Sequence, residues 1–170
     1  MSDGPHDLRK QEKKKNSSGA TIKSVCFPTG SALASSCDVN LFNEVGTLLG
    51  NEFRTENVQI LLGKAVNIKR SPLCGRNCEY YSENPFLATN LAAAFIKGVQ
   101  SKGVGTSIKH FVANNKETHR LSTDTIVSER VLYEIYLAAF EGAIKDQNHG
   151  PLCAHITKLT ANTARKTAGF

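Results

Sequence analysis

Apolar residues recur along this chain in helical stripes separated by short apolar runs. From Asp38 to Thr55, Leu41, Val45, Leu48, Leu49 and Phe53 fall on one side of a 3.6-residue period, with Asp38 placed to cap the start. The spacing predicts a second helix from Pro85 to Lys102, with Pro85 in the first turn and Leu87, Leu91, Ala94, Phe95 and Val99 inward. Gly103 and Gly105 end it. A third helix is predicted from Ser128 to Lys145, capped by Ser128, with Glu129 at its positive end and Leu132, Ile135, Tyr136, Ala139 and Phe140 forming the buried stripe. Val58 to Leu62 and Thr106 to Val112 are short apolar runs between these helices and read as buried strands.

Strands alternating with helices of this length imply parallel βαβ units and an α/β fold. A closed eight-fold barrel usually takes about 250 residues, whereas a doubly wound domain fits in fewer. The pattern alone leaves both open, and no glycine-rich phosphate loop follows either strand.

Composition narrows the function classes. The 170 residues are 40% hydrophobic, enough for one domain with a core. No apolar run reaches the roughly 20 residues of a membrane helix and no secretory leader opens the sequence, so no membrane association and a cytoplasmic location are expected. The net charge of +6 raises the question of nucleic acid. The short run Lys13, Lys14, Lys15 precedes Ser17, Ser18 and Gly19 and reads as a solvated loop, without the aromatic–basic interleaving of a nucleic-acid surface; no nucleic-acid partner is expected. The cysteines number five, and only Cys74 and Cys78 are close in sequence; Cys26, Cys37 and Cys153 are isolated. His110 and His119 do not complete a zinc spacing, so unpaired thiols and no metal are expected.

Polar residues gather just after the predicted strands: Asn67, Lys69, Arg70, Gly75, Arg76 and Asn77 after the first, and Lys109, His110, Asn114 and Asn115 at the end of the second. In parallel α/β folds this edge is where ligands sit. Arg76 presents a planar fork of donors and Lys109 a compact charge with three. Together with a carboxylate acceptor such as Asp3 they suit a hydroxyl-rich ligand, although the same residues also read as ordinary surface ions, and His110 as a hydrogen-bonded core histidine.

Four stretches carry a resemblance. They are Ser2-Asp-Gly-Pro-His-Asp-Leu-Arg-Lys10, Val66-Asn-Ile-Lys-Arg-Ser-Pro-Leu-Cys-Gly-Arg-Asn-Cys-Glu-Tyr-Tyr-Ser-Glu-Asn-Pro85, Lys102-Gly-Val-Gly-Thr-Ser-Ile-Lys-His-Phe111 and Asn114-Asn-Lys-Glu-Thr-His-Arg120, with Cys26-Phe-Pro-Thr29 and Leu33-Ala-Ser-Ser36 between them. In this order and spacing the chain resembles the family 3 glycoside hydrolases of β-glucosidase type. The resemblance implies part of a (β/α)8, TIM-type barrel over residues 1–148, an enzyme acting on terminal β-linked glucosides or related sugars, and no cofactor. It also implies a retaining mechanism with two carboxylates, one attacking the anomeric carbon and one acting as acid and then base. On this resemblance Asp3, Arg9, Arg76, Lys109, His110 and Arg120 are the sugar-holding residues. Charge-assisted hydrogen bonds, roughly twice as strong as neutral ones, suit that task.

The chain also departs from the family pattern. Asp7 stands where glycine is usual, Cys37 and Cys78 where aromatic residues are usual, Lys64 and Ala65 replace a Pro-Gly or similar pair, and Ala138 replaces a common proline. The family's nucleophile belongs to a Ser-Asp-Trp-like motif; no such motif occurs here, and the sequence holds no tryptophan. The acid/base glutamate is expected further on, and the first barrel strand of the family before Ser2. These 170 residues are therefore expected to hydrolyse nothing by themselves and to pack as an open, loosely held part of a barrel. The resemblance stops at Asn148. Read in a shifted frame, the codons open to Asn148 and the residues after it permit Pro-Trp-Thr-Val-Met-Cys-Ala-Tyr-Asn-Lys and then Tyr-Cys-Ser-Glu-Asn, which are family motifs in their family order. Residues 149–170 are accordingly expected to be an out-of-frame, irregular tail, whose Lys158, Arg165 and Lys166 contribute accidental charge.

Overall fold

The computed structural model describes residues 1–4, 6–11, 21–119 and 122–145. Three short parallel strands, β1 (Ser2–Asp3), β2 (Ile60–Leu62) and β3 (Gly105–Thr106), lie side by side in that order. Ser2 pairs with Leu61 and Asp3 with Leu62, while Ile60 pairs with Gly105 and Leu61 with Thr106. Beyond β2 and β3 the two chains run on together, Ala65 bridging to Lys109. Helix α1 (Gly30–Ala34) precedes the long α2 (Val39–Thr55), and α3 (Pro85–Gln100) connects β2 to β3. After β3 come α4 (Glu129–Val131), a π-helical turn (Leu132–Tyr136) and α5 (Ala138–Lys145).

The helix starts follow from the sequence. The Asp38 carboxylate accepts from the amides of Asn40 (2.8 Å) and Leu41 (3.2 Å), and the Asn84 side chain does the same for Phe86 (2.9 Å) and Leu87 (3.2 Å). Gly103 adopts φ +72° just past α3, the left-handed conformation that glycine tolerates. Ser128 makes no side-chain cap, contrary to expectation. The third predicted helix is also interrupted: the amide of Leu137 donates to the carbonyl of Leu132 (2.8 Å), a five-residue step that widens one turn.

Helices α2 and α3 meet through glycine. A Cβ on Gly46 would lie 2.3 Å from the carbonyl oxygen of Phe95, and one on Gly98 would lie 2.3 Å from that of Asn43. Missing side chains on both helices thus let the backbones approach. Leu8, Phe42, Leu49, Phe53, Leu61, Leu91, Phe95, Val99, Ile108, Tyr136 and Phe140 belong to one continuous buried core, which α5 closes over α3. Leu48, expected inward, is half-exposed, because the period carries it past the edge of the contact stripe. Strand β3 is shorter than the apolar run Thr106 to Val112, although main-chain pairing with the β2 segment continues past it: the Ser107 amide donates to the Leu61 carbonyl (2.9 Å) and the Lys109 amide to that of Lys64 (2.9 Å). Strand β1 was not legible as a strand.

Candidate functional site

The ends of the three strands converge on a chain of alternating charges. Asp3 closes β1, Lys109 lies beyond β3, and Arg76 sits in the loop that follows β2. The Lys109 ammonium donates to Oδ1 of Asp3 at 2.6 Å, and the amide of Gly4 donates to the same oxygen at 3.0 Å. On its other side Lys109 Nζ lies 3.9 Å from Oε2 of Glu79. Glu79 Oε1 accepts from Nε of Arg76 at 2.5 Å, and the Arg76 guanidinium reaches to 3.9 Å from Glu117. The sequence Asp3–Lys109–Glu79–Arg76–Glu117 thus alternates acid and base through three separate segments.

Neutral groups fix the frame. Asn67 grips His110 through both main-chain groups: its Oδ1 accepts from the His110 amide (2.7 Å) and its Nδ2 donates to the His110 carbonyl (2.8 Å). Asn67 and His110 are both buried, so this pair carries register that water cannot supply. The Asn114 amide donates to Glu117 (2.9 Å) and lies 3.2 Å from the Tyr80 hydroxyl, which donates to the Asn114 carbonyl at 2.8 Å. Asn115 donates to the carbonyl of Ile68 and ties the two strand-end loops together.

The electrostatics follow from this arrangement. Partial burial alone would raise the Asp3 carboxyl, but the hydrogen bond and charge of Lys109, with the Gly4 amide and Arg76, hold it below the usual carboxylate range. Burial works against the charged Arg76, and Glu79 more than compensates, raising it. Burial pushes the Tyr80 and Tyr81 hydroxyls up, which keeps them neutral donors. Asp3 remains half-exposed while Lys109 is enclosed. The cluster therefore presents an ionised carboxylate backed by oriented cations, a surface suited to hydroxyl groups that both donate and accept.

Among the expected site residues, the structure brings Asp3, Arg76 and Lys109 into one network. His110 follows Lys109 in the chain and is buried, its ring 6.5 Å from that of Tyr80. Arg9 is tied to the cluster through its backbone, its amide donating to the Asp3 carbonyl (3.3 Å), while its exposed guanidinium pairs with Asp7 at 3.5 Å. Arg120 lies outside the described residues. Sequence reasoning missed Glu79 and Glu117, the carboxylates that join the cations. The signal for Glu79 was its place three residues after Arg76 in a polar loop between apolar segments, a spacing that one turn of chain can close. Cys26, Cys37, Cys74 and Cys78 are free thiols; Cys153 lies outside the described residues.

Parallel βαβ units with a charged network at the carboxyl ends of their strands define an α/β-barrel type of site. The chain matches the glycosyl hydrolase family 3 N-terminal domain over residues 14–168, and it belongs to that family. The match spans both sides of Asn148. Thermostable β-glucosidase B of Acetivibrio thermocellus is 55% identical over 147 residues, covering 85% of this chain and 20% of that protein. An exo-α-(1→6)-L-arabinopyranosidase of Bifidobacterium longum is 48% identical over 150 residues, again 85% and 20%. The structure of β-glucosidase 3B from Thermotoga neapolitana in complex with glucose superposes with a TM-score of 0.86 at 48% identity, over 95% of this chain and 22% of that one. The chain thus spans only a small part of the length of these relatives, and its α/β fold is part of the family's TIM-type barrel.

Proposed function

We propose that this chain is the sugar-holding portion of a β-glucosidase-type catalytic barrel that acts by a retaining mechanism on terminal β-linked glycosides, and that these 170 residues do not hydrolyse a glycoside by themselves. The observation that carries the reading is the ion pair between Asp3 and Lys109 (2.6 Å), joined through Glu79 to Arg76 at the ends of the parallel strands. A pyranose in the leading subsite offers adjacent hydroxyls; a carboxylate can accept from one while the ammonium beside it donates to the next. Relatives solved with glucose from Thermotoga neapolitana and Kluyveromyces marxianus support a sugar ligand.

The chemistry also supports the expected lack of turnover. A retaining glycosidase needs one carboxylate free to attack and a second free to exchange a proton, about 5 Å apart. Asp3, Glu79 and Glu117 all lie against cations. Their lone pairs hold the frame, and the depressed Asp3 carboxyl is a poor proton donor near neutrality. The test is turnover of an aryl β-glucoside by the purified chain. The expected rate equals the buffer control. Turnover that disappears in Lys109→Ala would overturn the reading.

Residues 149–170 are read as an out-of-frame stretch on codon grounds, and they lie outside the described residues. Restoring one base near codon 148 is expected to reopen the frame through the Met-Cys-Ala-Tyr-Asn-Lys motif. A gene with no family similarity in any frame beyond that codon would refute this.

A further inference from the structure

Pairing between the segments that follow β2 and β3 is carried on past the strands, and its last step is made by a side chain. The main-chain groups of Lys109 and His110 are all met by residues 64–67. The Lys109 amide donates to the Lys64 carbonyl at 2.9 Å, and the Lys109 carbonyl accepts from the Val66 amide at 2.9 Å. The His110 amide and carbonyl are then met by Asn67, through Oδ1 at 2.7 Å and Nδ2 at 2.8 Å. An amide only donates and a carbonyl only accepts, so one orientation of the carboxamide alone satisfies both.

The segment that holds Lys109 and His110 is itself anchored. Ala65, Val66 and Asn67 are buried, and the Lys64 ammonium lies 4.1 Å from the centre of the Phe95 ring on α3. Such a reference matters for Lys109. Lys109 follows β3 and Asp3 closes β1, with β2 between them, so the lysine crosses the end of β2 to bring its ammonium within 2.6 Å of the carboxylate. A lysine stem is flexible and its ammonium is a point charge with no geometry of its own. The place of its backbone therefore decides whether the ammonium falls between Asp3 and Glu79, which lies 3.9 Å away on the other side.

We propose that Asn67 is a positioning residue of the sugar-holding site: by gripping both main-chain groups of His110 it fixes the backbone from which Lys109 reaches Asp3, and so sets the pair that meets the sugar hydroxyls. Asn67 acts through Lys109 and His110 rather than on a ligand. Only the last step of the inference rests on the sugar-holding reading; the coupling of Asn67 to the Asp3–Lys109 pair stands without a ligand.

Asn67→Ser and Asn67→Leu test this in the whole chain, since both remove the carboxamide without adding charge. The first readout needs no sugar. Against the raising effect of partial burial, Lys109 holds the Asp3 carboxyl below its ordinary 3.8, with the Gly4 amide and Arg76 assisting. Carbon-13 titration is expected to show the Asp3 carboxyl shifted upward in both variants, in the direction that Lys109→Met moves it, while the cooperative urea transition is kept. The second readout is glucose affinity, expected to fall at least about tenfold in both, the order of one lost hydrogen bond to a charged group. An Asp3 carboxyl that does not move overturns the proposal whatever glucose does, and so does a shifted carboxyl with unchanged glucose affinity. Failure of both variants to fold also overturns it, because Asn67 would then serve the fold alone. If the unchanged chain binds no glucose, the sugar-holding reading fails, and the Asp3 titration still decides whether Asn67 sets the Asp3–Lys109 pair.

Discussion

The face between α2 and α3 and the network at the strand ends are built from opposite materials. The first is close-packed and almost free of charge, with Gly46 and Gly98 letting two helix backbones touch. The second is an alternation of ions, Asp3, Lys109, Glu79, Arg76 and Glu117, framed by the amides Asn67, Asn114 and Asn115. Packing is unforgiving of volume and indifferent to pH; the ionic cluster tolerates small displacements but not the loss of a partner. The comparison shows where this chain keeps its stability and where it keeps its chemistry, and Lys64 lies at the seam between them.

The largest expected effect is on the packed face. Gly98→Val places carbon against the Asn43 carbonyl and the Thr47 amide, backbone atoms that have no rotamer to yield. Destabilisation of at least about 3 kcal/mol is expected, read as a fall in the urea midpoint or loss of the cooperative transition. An unchanged midpoint would mean that the two helices are less closely joined than described.

An intermediate effect is expected where the network is buried. Glu79→Ala leaves Arg76 and Lys109 facing each other without the carboxylate between them. A loss of about 3 kcal/mol is expected by denaturant unfolding, most of it the penalty of the stranded charges. Glu79→Ala combined with Arg76→Met is expected to recover part of that loss, because it removes one of those charges together with its partner; no recovery would count against a coupled pair.

The smallest effect belongs to the exposed end of the network. Asp3 has a carboxyl held below its ordinary 3.8, so the stability it contributes is present above that value and is lost as pH falls through its lower folded value. Lys109→Met removes the main cause, and its unfolding midpoint is expected to decline less steeply than that of the unchanged chain between about pH 5 and pH 2. Parallel declines would show that Lys109 does not set the Asp3 carboxyl.

How much of this was written legibly in the sequence depends on what each feature rests on. Helices α2 and α3 were readable because Asp38, Asn84 and the apolar stripes act within a few residues of one another. The pairing of Asp3 with Lys109 became readable only through family motifs, since the partners are far apart along the chain and meet across a sheet whose first strand is two residues long. Glu79 was passed over because a glutamate in a polar loop looks solvated; burial against Arg76 and Lys109 is a property of the assembled fold. Arg9 was legible in the same way as the Asp3–Lys109 pair. Its motif position suggests a sugar ligand, and its exposed guanidinium pairs with Asp7, itself a departure from the family's glycine, at 3.5 Å. The widened turn at Leu132–Tyr136 had no periodic signature, because its buried residues keep helical spacing on either side.

The most direct test of the account is a glucose titration of the isotope-labelled chain, followed by amide and side-chain chemical shifts. Saturable changes are expected at Asp3, Gly4, Arg76, Lys109 and His110, with α2 and the outer face of α3 silent, and they are expected to vanish in Lys109→Ala. Changes spread evenly over α2 and the strand ends, or none at any glucose concentration, would contradict the claim that the strand-end cluster is a sugar-holding site.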